Sequence, residues 1–204
     1  MSTPDTSTAR LSDQLEAWLQ GKEDRTLGAL IAAFGDKSFA MLFVLLLGVP
    51  ALPLPTGGAT HVMEIIAALL ALELIAGRRE VWLPERWRKL ELAGPRQQRF
   101  IGAVLRLIRR LERISRRRLL FLFGGRLSNR VFGLLVLIGS AGAFFAPPFT
   151  GLDTLPALGV VLLSIAVLLE DGLIAAVGIL VMAGGIALEI VVGTLAAKGI
   201  ESLF

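Results

Sequence analysis

The chain has 204 residues, 54% of them hydrophobic, with 22 glycines and no cysteine, and its mean hydropathy is +0.71. The apolar residues gather into long uncharged runs rather than spreading at a helical or strand period, which is the pattern of a membrane protein and excludes an ordinary soluble domain. Absent cysteine and a single histidine exclude disulfides, thiolate metal sites and His-rich metal clusters, so no metal or other cofactor is expected.

The net charge of +4 is unevenly spread: sixteen Arg or Lys between positions 78 and 130 face only Glu80, Glu85, Glu91 and Glu112, and from Val131 onward Lys198 is the sole basic residue. This block lies between apolar runs. Its expected partner is therefore anionic lipid headgroups rather than nucleic acid.

In chain order, residues 1–37 form an N-terminal tail with short amphipathic helices. The start lacks the basic stretch and early apolar core of a signal peptide. A helix is expected over Leu11–Leu19, with Leu11, Leu15, Trp18 and Leu19 on one face and Ser12 or Asp13 as its cap, and a second over Thr26–Phe34.

Residues 38–94 form a first hydrophobic unit. An uncharged run, Phe39–Leu54, breaks at the proline- and glycine-rich stretch 50–58 and resumes as a helix over Ala59–Ala76, stopped by Gly77-Arg78-Arg79. Trp82 and Trp87, set among arginines, read as interfacial anchors. Residues 95–130 form a basic amphipathic helix with Phe100, Ile101, Val104, Leu105 and Ile108 on one face. It is expected to lie on the anionic leaflet. Residues 131–204 form a second hydrophobic unit, broken at 146–151, and a last span over Leu173–Ala197.

The two units are related at an offset of 94: Pro53 falls on Pro147, Thr56 on Thr150, Gly57 on Gly151 and Thr60 on Thr154. Paired repeats are common in transporters. The fold class is thus all-α: a polytopic membrane protein with two related proline-broken helical hairpins, a basic interfacial helix and a C-terminal span. Each break is open to two readings, a loop at the membrane surface or the tip of a re-entrant hairpin, which backbone at depth tolerates only beside protein or a water-filled cavity.

Ionisable residues inside apolar runs are costly and are the default site candidates. They are His61 and Glu64, three apart on one helix face, with Asp153 and Glu189. Glu73, near a span end, is explained by snorkelling. Thr56, Gly57, Thr150 and Gly151 join the candidates. Thr56 and Thr150 can cap the helices leaving the breaks, whose positive ends, aimed at one cavity, favour an anionic group. The structural alternative for each is a neutralised or hydrogen-bonded group, and Asp153 reads also as a cap. Glu189, one turn from Gly185 and Gly193, is expected at a close helix contact. No P-loop lysine, nucleophile elbow or second histidine accompanies these residues, so no enzyme is expected.

The run Ser38-Phe39-Ala40, Gly48-Val49-Pro50, Pro53-Leu54-Pro55-Thr56-Gly57-Gly58, Ala71-Leu72-Glu73-Leu74-Ile75-Ala76-Gly77-Arg78-Arg79 and Trp82-Leu83-Pro84 resembles the ExoD family. Glu73 stands where a glutamine is expected. The resemblance extends through the basic helix and Ala146-Pro147-Pro148 to the last span. It implies a multi-pass protein of the bacterial inner membrane associated with exopolysaccharide synthesis, cell-envelope fitness and tolerance of alkaline conditions, with no catalytic residue carried over. The doubled hairpins are also similar, in architecture, to DedA-type membrane proteins. Two functions stay open: a small transporter or lipid/glycan-handling protein with a polar site between paired hairpins, or a non-catalytic membrane subunit of a polysaccharide synthesis or export machine. Homo-oligomers or polysaccharide-synthesis proteins are the partners these imply.

Overall fold

The computed structural model describes residues 11–20, 26–52, 59–92, 94–115, 125–146 and 150–201. They form nine α-helices: α1 Leu11–Gln20, α2 Leu27–Phe34, α3 Ser38–Leu47, α4 Ala59–Ile75, α5 Glu85–Arg88, α6 Pro95–Ile114, α7 Arg126–Phe145, α8 Thr154–Leu169 and α9 Gly172–Glu201. Among the described residues no sheet forms; a single antiparallel bridge ties Thr26 to Glu91.

Among the described residues, three segments are long and apolar enough to cross a membrane: Leu27–Leu47, Arg126–Phe145 and Gly172–Leu195. The first is not one straight helix. Gly35, at φ 49° and ψ −122°, ends α2, and a 3-10 turn, Gly35–Lys37, leads into α3. With ten residues, α3 reaches only ~15 Å, the length of a core or re-entrant helix rather than a full crossing. It is buried nearly throughout, from Phe39 to Leu47, under α2 and α8. It ends at Leu47, just before the expected break at 50–58, since Pro50 disfavours helix at the residue before it.

The core places α3 against α8, α4 against α7, and α8 against both α7 and α9. Phe43 meets Phe132 edge-on at 5.7 Å, and the bare Cα of Gly133 lets α7 approach the Ala71 carbonyl of α4. Outward faces are apolar: Val62, Ile65, Leu69 and Leu72 on α4, Leu127, Val131, Leu134 and Ile138 on α7, and much of α9 are exposed. Contiguous exposed apolar stripes of this size mark a lipid-facing surface in a chain with apolar spans.

Two local expectations change. Ser12 and Asp13 lie inside α1, and Glu112 of α6 does the capping: its Oε1 accepts the Ser12 N–H at 3.0 Å. The apolar face of the basic helix is covered by protein. Ile101, Val104, Leu105 and Ile108 are buried where α6 packs on α1, and Arg109 pairs with Glu16 across that contact. Amphipathicity requires that a face be covered, and here protein covers it. Finally, α7 begins at Arg126, so the last basic residues of the 95–130 segment belong to a membrane-length helix.

Candidate functional site

His61 and Glu64 lie in the first turns of α4 and share a face. The Glu64 side chain is 0% exposed and the His61 ring 26%. The imidazole Nδ1 and Glu64 Oε2 share a hydrogen bond of 2.8 Å, and the ring packs edge-on against Phe144 of α7, centroids 5.3 Å apart. Glu64 Oε1 is buried with no hydrogen-bond partner among the described residues. So is the hydroxyl of Ser140, one turn before Phe144.

Asp153, at the start of α8, is within electrostatic reach of Glu64, and both act on Glu189 of α9. One Glu189 oxygen is likewise buried without a partner among the described residues. Four helices therefore bring one imidazole, three carboxylates and a hydroxyl to the end of the bundle where α4 and α8 begin. Among the described residues, no three such groups are close enough to hold a metal ion.

Like charges so placed repel one another, and Glu64, wholly buried, is poorly solvated as well. The expectation that these helix starts favour an anion rests in part on Thr56 and Gly57, outside the described residues; the described helix starts gather carboxylates. The imidazole beside Glu64 offers a second proton-carrying group, on the side chain that reaches the surface.

The other candidates do not join this cluster. Thr56 and Gly57 lie outside the described residues, and with them the expected meeting of the two breaks. The N-cap position of α8 falls on Asp153, not on Thr150. Its Oγ1 accepts the Leu152 N–H at 3.4 Å in a local turn. Gly151 takes φ 70°, and a Cβ added there would meet nothing within 4 Å, so the turn conformation, not close approach, calls for glycine. Asp153 occupies the N-cap position of α8 but makes no capping bond. Around Glu189 the expectation holds on one side only, for Gly185 packs on Pro156 while Gly193 meets nothing. Glu73 accepts the Trp82 N–H at 3.1 Å, a sufficient structural role. Trp82 and Trp87 are exposed. Ser140 and Phe144 do not stand out in the sequence; the hydroxyl inside Gly139-Ser140-Ala141-Gly142 is the signal that could have found the first of them.

The family model described as "Exopolysaccharide synthesis, ExoD" matches residues 11–191. The chain is 32% identical over 176 residues to an uncharacterized protein of Synechocystis sp., covering 84% of this chain and 82% of that protein. It is 30% identical over 175 residues to Protein ExoD of Rhizobium meliloti, covering 84% and 72% respectively. No solved structure matches it.

Proposed function

This chain belongs to the ExoD family, whose link is to exopolysaccharide synthesis, and from that premise we propose that it is a multi-pass inner-membrane transporter or lipid/glycan-handling protein driven by proton or cation exchange at His61, Glu64, Asp153 and Glu189. The observation that carries this reading is Glu64: wholly buried, one oxygen on a histidine and the other without a partner among the described residues, on a helix whose outward face is apolar. A carboxylate so placed is expensive unless its protonation is used.

The packing supports a two-fold design. At the offset of 94, α3 corresponds to α7 and α4 to α8, and the contacts α3 with α8 and α4 with α7 interchange when the halves are exchanged. The starts of α3 and α7 and the ends of α4 and α8 line one cleft. Such halves are parallel repeats about an axis along the membrane normal. The short α3 fits a re-entrant arm. Positive-inside bias puts the Arg-rich end in the cytoplasm. Single cysteines placed between Arg78 and Arg130 of this cysteine-free chain are then expected to react with impermeant reagents only from the cytoplasmic side. Labelling from the periplasm reverses the orientation.

Reconstitution tests the function. Proteoliposomes bearing a pH gradient, an internal pH dye and fluorescent anionic lipid are expected to show proton flux or lipid scrambling above protein-free vesicles. Silence in both assays moves the family role to the second reading, an accessory subunit of a polysaccharide synthesis machine. That reading is favoured by the far part of α9, where Leu188, Ile190, Val191 and Leu195 are exposed and Gly184 and Gly193 meet nothing, a free face for a second copy or a partner helix.

A further inference from the structure

A cleft of about 380 Å³ opens at the end of the bundle opposite the acidic cluster, lined among others by Asp36, Lys37, Arg78, Arg79, Arg126, Arg130 and Glu170. Along α4 the two sites are ~20 Å apart, at 1.5 Å per residue from Glu64 to Arg78. Its five cations face two carboxylates, and one opposing pair is already spent: Lys37 Nζ donates to Glu170 Oε1 and to the Leu168 carbonyl, both at 3.0 Å. The four guanidinium groups have no ion-pair partner among the described residues.

The helix ends around the cleft do not offset this charge. At the end of α4, Gly77 N–H closes on the Leu74 carbonyl at 3.0 Å and Arg78 N–H on the Glu73 carbonyl at 3.1 Å. At the end of α8, Glu170 turns left-handed at φ 57° and Asp171 N–H closes on the Ala166 carbonyl at 3.0 Å. Both C-termini thus satisfy carbonyls internally. The N-cap residue of α7, by contrast, is Gly125, with no side chain to cap the helix, and its first turn holds no acidic residue. Arg126 and Arg130 stand where the helix dipole favours an anion. Gly77 takes φ 90°, a conformation that favours glycine, and Arg130 Nη2 lies at an ordinary contact distance of 3.6 Å from the place a Cβ would occupy.

From this cleft we infer that the chain has a phosphate-binding site, built by Arg78, Arg79, Arg126 and Arg130 from both halves, that takes a phosphate monoester or phosphodiester group. The volume lies within the range of small-molecule sites, and paired guanidinium groups match phosphate oxygens two at a time. The site is independent of proton exchange at Glu64, since it uses other residues at the other end of the bundle. It also narrows the general attraction of the basic block for anionic lipid to one place.

The test uses the full-length protein in nanodiscs of zwitterionic lipid, titrated with inorganic phosphate and, separately, prepared with increasing phosphatidic acid, with thermal midpoint as readout. Saturable stabilisation by either probe is expected. Saturation by phosphatidic acid alone assigns a lipid headgroup, and saturation by inorganic phosphate assigns a soluble phosphate. The double variant Arg126→Gln/Arg130→Gln is expected to weaken the effective probe roughly tenfold or more, through the loss of charge-assisted contacts. Arg106→Gln/Arg110→Gln, the same charge change on the exposed side of α6, is expected to leave it within about twofold, as unspecific screening predicts. Equal weakening by both pairs, or no saturable effect of either probe, overturns the site. Should the α7 pair not accumulate, Arg78→Gln/Arg79→Gln decides on the same terms.

Discussion

Glu64→Gln is expected to reduce proton-coupled flux or scrambling in proteoliposomes by roughly two orders of magnitude, the scale on which a positioned proton carrier contributes, while the protein folds and accumulates normally. Glutamine has the shape of the carboxylate and can accept the His61 hydrogen bond through its amide oxygen, so packing on α4 is preserved. What it cannot do is bind and release a proton. Glu64→Leu removes the proton site outright and, by leaving His61 Nδ1 without its partner, is expected to cost about 1–3 kcal/mol of stability as well as activity. His61→Ala removes the imidazole hydrogen-bonded to the carboxylate, and is expected to cost about 1–3 kcal/mol of stability as well as activity. Glu73→Gln is the control, because an amide oxygen can still receive the Trp82 N–H. If all these variants retain parental flux, the His61–Glu64 pair is a structural hydrogen bond and nothing more.

Much of this architecture was legible because stop signals in the sequence are physical. Gly77-Arg78-Arg79 ends α4 and Glu170-Asp171 separates α8 from α9, since charge and a left-handed residue both oppose further apolar helix. Asp171 then caps the new helix, accepting the Leu173 N–H at 2.9 Å. The pairing of His61 with Glu64 was legible from spacing alone. The gathering of Asp153 and Glu189 around Glu64 was not, because it depends on how three helices distant in sequence pack. The same limit explains α6: its apolar stripe announced a covered face, but lipid and α1 are equivalent covers at the level of pattern. The cleft was hidden for another reason. Arginines 78, 79, 126 and 130 read as two stretches of one basic block, and only the contact of α4 with α7 turns them into a site.

Gly159→Ala is expected to destabilise the protein by about 1–3 kcal/mol, the usual cost of overpacking a close contact, whereas Gly184→Ala is expected to be neutral or to stabilise by up to ~1 kcal/mol through helix propensity. The two substitutions add the same methyl group to neighbouring membrane helices. At Gly159 the new Cβ would stand 2.5 Å from the Met182 nitrogen and 2.6 Å from its Cα. These are backbone atoms of α9, which cannot turn aside as a side chain can. Gly178 repeats the contact from the other helix, with a Cβ position 2.7 Å from the Leu163 nitrogen and 2.9 Å from the Gly159 carbonyl oxygen. Helices that touch backbone to backbone in lipid rely on such glycines, because dispersion falls quickly as the axes separate. At Gly184 a Cβ meets nothing within 4 Å. Separation of α8 from α9 would also move Pro156 away from Gly185 and so displace Glu189 relative to Asp153, which couples this packing to the acidic cluster. Thermal midpoints in detergent, read by size-exclusion chromatography after heating, give the order directly. A Gly184→Ala protein that melts below Gly159→Ala contradicts the α8–α9 contact on which the placement of Glu189 depends.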